Sequence, residues 1–132
     1  MAKIEHTNRT ITSPAWAGDY LDRHSLLAGG ARVDASQFAA DAKGRKNIPS
    51  GTLLGRTFTE RDAKTGFGVA VDTDDEIYIL AFDVTDAAYL PDCELYRHGR
   101  LVKENHLPNW STTAAGLKTK IRTLYECTVG AD

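Results

Sequence analysis

The run Ile77-Tyr78-Ile79-Leu80-Ala81-Phe82-Asp83-Val84 constrains the fold of this 132-residue chain more than any other segment. It is apolar at odd and even positions alike, so a strand built from it has two faces to bury and belongs in the middle of a sheet. Shorter β-prone runs punctuated by Gly and Pro surround it. Thr52 to Thr57 predicts a first strand, Phe67 to Val71 a second, and the acidic stretch Asp72 to Glu76 a turn feeding the central strand. Cys93 to Arg97 and Arg100 to Lys103 flank His98-Gly99, a two-residue link suited to a tight hairpin because Gly accepts a positive φ. Ser111 to Ala115 offers hydroxyl caps and helix formers for a short helix stopping near Gly116 to Lys120. Beyond it, Ile121, Thr123, Tyr125, Cys127 and Val129 alternate with Arg122, Leu124, Glu126 and Thr128, which predicts a closing strand.

Residues 1–47 have a different texture. Thr, Ser, Gly, Ala and charged residues dominate, and large apolar side chains are isolated at Trp16, Tyr20, Leu26, Leu27, Val33 and Phe38. A segment so sparse in apolar residues does not offset its own ordering entropy, so it predicts an arm that orders only against a domain or a partner. The expected architecture is therefore mainly β with a short helix: a β-rich α+β domain, barrel-like or sandwich-like, over residues 48–132, preceded by an extended N-terminal arm over residues 1–47. A chain of this length buries about two thirds of its unfolded surface, enough for one core without disulfides.

Sixteen Lys and Arg against eighteen Asp and Glu give a net charge of −2, which supplies no overall field for nucleic acid. No apolar run approaches the roughly 18 to 20 residues that span a bilayer. No positively charged segment leads into an apolar run near the start, and Cys93 and Cys127 are the only cysteines, so folding in a reducing cytoplasm is expected. His6, His24, His98 and His106 lack metal-ligand spacing, and Asp72, Asp74, Asp75 and Glu76 do not fit a calcium loop. Cys93 sits in a predicted strand without the surroundings of a nucleophile, and Gly66-Phe67-Gly68 does not complete a dinucleotide fingerprint. The expectation is a non-enzyme with no catalytic residues, metal, cofactor or small-molecule substrate. Trp16, Tyr20, Leu26 and Leu27 become the candidate contacts with a neighbouring subunit or a partner surface, as apolar anchors of the arm.

The order of these segments resembles that of the head decoration (capsid cement) proteins of tailed phages. Ile48-Pro49-Ser50-Gly51-Thr52-Leu53-Leu54-Gly55-Arg56 is similar to that family's first strand, and Ile79-Leu80-Ala81-Phe82-Asp83-Val84 to its central segment. Arg97-His98-Gly99-Arg100-Leu101 resembles its glycine-turned pair of strands, Leu107-Pro108-Asn109-Trp110 the lead into a short helix, and Ile121 to Val129 the last strand. The resemblance implies a β-rich structural virion protein, made in the host bacterial cytoplasm. It implies binding as a homotrimer to the major capsid protein on the outer surface of an expanded icosahedral shell, with no nucleic-acid or membrane partner. On this basis a chain lacking residues 1–31 is expected to fold and to bind shells weakly. The competing expectation is a small OB-like β-barrel that binds single-stranded nucleic acid by stacking bases on Tyr78, Phe82, Tyr96 and Tyr125.

Overall fold

The structure, a computed structural model, describes residues 14–18, 21 and 24–129. In chain order the regular elements are β1 (Ala31–Arg32), β2 (Leu53–Arg56), α1 (Phe58–Asp62), β3 (Gly68–Val69), β4 (Glu76–Leu80), β5 (Asp92–Cys93), β6 (Leu95–Tyr96), β7 (Leu101–Lys103), α2 (Ala115–Leu124) and β8 (Glu126–Thr128). Short 3₁₀ turns lie at Ala35–Gln37, Glu104–His106 and Trp110–Thr112. The fold is β-rich α+β, and among the described residues no sheet closes into a barrel.

The main sheet is antiparallel in the order β3-β2-β4-β6. As its two-faced apolar pattern predicts, β4 is internal, pairing with β2 from Leu53↔Ile79 to Arg56↔Glu76 and with β6 at Ile79↔Tyr96 and Leu80↔Leu95. Ile77, Ile79 and Ala81 point to one core, shared with Trp16, Tyr96, Val102, Trp110, Leu117, Ile121 and Tyr125. Leu54 and Leu80 point to the other, shared with Val33, Ile48, Phe67, Val84 and Leu95. Burying both faces of one strand thus seeds two apolar clusters, each worth about 25 cal/mol per Å² of apolar surface removed from water.

Three local expectations are corrected. The closing strand expected at Ile121 to Val129 is helix over its first four residues: Leu117 and Ile121 bury an i, i+4 stripe of α2, and strand geometry is confined to Glu126–Thr128. The short helix expected to begin at Ser111 and stop near Gly116 to Lys120 is displaced toward the C-terminus: α2 starts at Ala115 and runs to Leu124, and Trp110–Thr112 is a separate 3₁₀ turn in which Thr112 and Thr113 donate their hydroxyls back to the Asn109 carbonyl instead of capping forward amides. At His98-Gly99 the glycine does adopt a positive φ of 86°, but β6 and β7 do not form a hairpin. Instead β6 joins β4, and β7 pairs in parallel with β8 through Val102↔Cys127.

Of the two surfaces against which the segment before residue 48 is expected to order, its described part takes the first: it runs along the strand edges of its own domain. Ala17 bridges Val102, with Gly18 N donating to Leu101 O at 2.9 Å and Lys103 N to Trp16 O at 2.7 Å. Leu26 bridges Tyr96, with Leu27 N donating to Leu95 O and Arg97 N to Ser25 O. Next β1 pairs with β5, Val33 bridges Phe67 in parallel, and Ile48 exchanges two 2.8 Å hydrogen bonds with Val84. On the outer side of β3, Val69 N donates to Gln37 Oε1 at 3.1 Å. Backbone and side-chain groups of residues 16–48 therefore satisfy strand edges that would otherwise be open to other chains.

Gly66 shows how close this belt lies. A Cβ there would sit 2.7 Å from Val33 C, 2.8 Å from Arg32 O and 2.9 Å from Asp34 N, all backbone atoms that cannot rotate away. Gly66→Ala should cost about 1–3 kcal/mol by prising Val33 from Phe67, measured as a lower urea midpoint at unchanged slope.

Candidate interaction surface

The groups that could carry chemistry are taken up in structure. Cys93 is buried and Cys127 half-buried, and burial pushes each thiol up to about 11, so neither is a ready thiolate at neutral pH. Among the described residues no group of three or more His, Cys, Asp or Glu is placed to hold a metal ion. The acidic stretch before β4 works locally: Asp75 accepts from Phe58 N at the start of α1, and buried Asp74 accepts from Val71 N. Burial raises the Asp74 carboxyl above its ordinary range, reinforced by Glu60 and Asp75 nearby. Among the described residues no helix is long and apolar enough to cross a membrane.

One ion pair is well formed. Arg122 donates to both oxygens of Glu104, at 3.0 and 2.7 Å, and these hydrogen bonds hold the largely buried Glu104 carboxyl below its ordinary range. A depressed carboxylate contributes stability above its unfolded-state pKa and loses it as pH falls through the folded-state value, whereas Asp74, shifted the other way, gains on acidification. Glu104→Gln should therefore cost about 1 kcal/mol at pH 7 and progressively less from about pH 4.5 downward. Urea titrations across that range give the difference directly.

The four candidate contact residues do not form one outward surface. Trp16 is only 2% exposed, with its ring edge-on to Tyr96 at 4.9 Å and Nε1 donating to Ser50 Oγ at 3.0 Å. Leu26 is half-buried against the first core and Leu27 against the second. These three anchor the belt to its own domain, and Tyr20 lies outside the described residues. Of the tyrosines offered for base stacking, Tyr96 and Tyr125 are buried and stacked on each other, and Tyr78 stacks on His98 at 4.1 Å.

Among the described residues, the large apolar side chains left outside are Phe58, Val69, Val71, Tyr89, Leu90 and Val129. Arg61 lies over the Phe58 ring at 4.6 Å. Tyr89 and Leu90 are adjacent and the most exposed, at 78% and 61%. Their turn is held at both ends: Asp86 O accepts from Tyr89 N and Leu90 N, Ala87 N donates to Lys46 O with its methyl buried in the second core, and Pro91 O accepts from Val33 N. Asp83, Asp86 and Asp92 line the same concavity of about 310 Å³ as Tyr89 and Leu90. A neighbouring hollow of about 350 Å³ between Arg45, Pro49 and Asp83 shares its wall. Sequence reasoning missed this pair because Ala87-Ala88-Tyr89-Leu90-Pro91 has no period. The available signal was two large apolar residues stopped by a proline between flanking aspartates. Comparison with family models, with curated proteins and with solved structures returns no match.

Proposed function

We propose that this chain is a structural binding protein of the capsid-decoration type, a non-catalytic homotrimer that seats on the outside of an expanded phage shell and stabilises it. The observation that carries the proposal is a pair of large apolar side chains held outward on a hydrogen-bonded turn of a domain that already has two filled cores. Folding leaves that surface unused, whereas association rewards it. The order of sequence motifs from Ile48 to Val129, which resembles the decoration family and of which the first and central segments form β2 and β4, points the same way and suggests the major capsid protein as the partner. A β-rich domain with covered edges suits a part that must add to a shell without polymerising.

The single-stranded nucleic-acid alternative would need a stacking face built from residues other than Tyr96 and Tyr125, which face inward. The test is co-sedimentation with empty expanded shells of the encoding phage, followed by heating. Saturable binding in multiples of three copies per site and a raised shell disruption temperature are expected. Shells that stay bare, or bound copies that leave the disruption temperature unchanged, would refute the proposal.

A further inference from the structure

The Tyr89 and Leu90 side chains belong to neither core. The backbone of their turn is pinned to the belt at Lys46 and Val33, so little conformational freedom remains to be lost on binding, the property that distinguishes an anchor from a loose loop. Its rim is acidic. Asp83 is oriented by the Ser50 amide at 2.6 Å and Asp86 by the Lys46 amide at 3.2 Å, while Asp92 meets Arg32 only at 4.0 Å with both side chains well exposed. Among the described residues no Lys, Arg or His lines the Tyr89–Leu90 concavity itself, and the basic residues beside it come from the belt, Arg32 near Asp92 and Arg45 in the adjoining hollow with Asp83.

We infer that Tyr89 and Leu90 form the docking knob of this protein, and that its occupant is an apolar depression rimmed by Lys or Arg on a partner protein. Charge decides among the possible occupants. A phosphate backbone or an anionic bilayer would be repelled by the rim. A second copy meeting through the same patch would bring like charges together. A basic rim on another protein gains from both features, with the apolar contact setting residence time and the carboxylates setting encounter rate and salt dependence. The identity of that protein as the shell subunit rests on the decoration proposal; the chemistry of the knob does not.

Two measurements test the inference. In the first, wild type, Y89S/L90S and D83N/D86N are titrated onto expanded shells. Y89S/L90S should melt close to wild type, because both side chains are exposed, yet bind about 30-fold or more weakly. D83N/D86N, whose amides can still accept from Ser50 and Lys46, should lose most of the weakening that wild type shows between about 50 and about 300 mM salt. Wild-type affinity in Y89S/L90S would overturn the inference. In the second, p-benzoylphenylalanine in place of Tyr89 is irradiated in cells producing the chain, and the adduct is mapped. An adduct on a Lys- or Arg-rich surface of the capsid protein supports both proposals. An adduct on such a surface of a different protein, whose purified form loses affinity for Y89S/L90S, supports the knob and removes the shell as its partner. Adducts only to a second copy of this chain, or none, would overturn the inference whether or not shells bind.

Discussion

Removal of residues 1–31 should abolish cooperative folding, the largest effect expected of any change considered for this protein. The deletion takes away Trp16, Ala17, Leu21 and Leu26 from the first core and Leu27 from the second. Trp16 alone, truncated to alanine, should cost about 3–5 kcal/mol. The deletion also strips hydrogen-bond partners from Leu95, Arg97, Leu101 and Lys103, opening the free sides of β6 and β7. Domains of this size are stable by about 5–15 kcal/mol in all, so losses of this number exceed the margin. Circular dichroism during urea titration should show no sigmoidal transition for the truncated chain, and Trp16→Ala a clear shift to lower urea. A truncated chain that unfolds cooperatively near the wild-type midpoint would restore the view of this segment as a detachable arm.

Tyr125→Phe should cost about 2–4 kcal/mol although it removes one atom. The Tyr125 hydroxyl sits between β4 and β6, accepting from Ile79 N at 3.2 Å and donating to Tyr96 O at 2.5 Å. Two residues earlier on β4, His98 Nε2–H donates to Ile77 O at 2.7 Å. Burial holds the phenol well above its ordinary range, so it remains a neutral donor and acceptor at every pH at which the protein folds. Phenylalanine keeps the ring stacked on Tyr96 at 5.7 Å but withdraws the hydroxyl partner from a buried N–H and from a buried C=O, about 1–2 kcal/mol each. A measured loss below about 0.5 kcal/mol would mean that β4 and β6 close directly and that the hydroxyl is dispensable.

Local pattern and non-local pairing account for what the sequence made legible. β2 and β4 are legible because burial on both faces imposes composition on the strand itself. α1 carried a readable signal in Thr57 and Glu60, a reciprocal cap in which Glu60 N donates to Thr57 Oγ1 at 3.1 Å and Thr57 N to Glu60 Oε1 at 2.8 Å. α2 was obscured because Ile121, Tyr125 and Val129 fit both a two-residue and a four-residue repeat; the arbitrating residue was Leu117, one turn earlier. The parallel pairing of β7 with β8 and the bridges at Ala17, Leu26 and Val33 leave no local trace, since each joins segments distant in the chain. Trp16, Leu26 and Leu27 were legible as anchors but not for what they anchor, because isolated apolar residues serve a core and an interface equally well. Tyr89 and Leu90 left only a faint trace, two apolar residues stopped by Pro91 between aspartates, because their exposure is a property of the fold.

Amide hydrogen exchange on the full-length free protein tests most directly whether the N-terminal segment is part of the domain. The amides of Gly18, Leu27 and Val33, each bonded to a strand-edge or loop carbonyl, should exchange at rates approaching those of Leu80 and Ala81 in the central strand region. If Gly18 and Leu27 exchange at unprotected-chain rates while Leu80 and Ala81 stay protected, the segment is an arm after all, and the docking role returns to it.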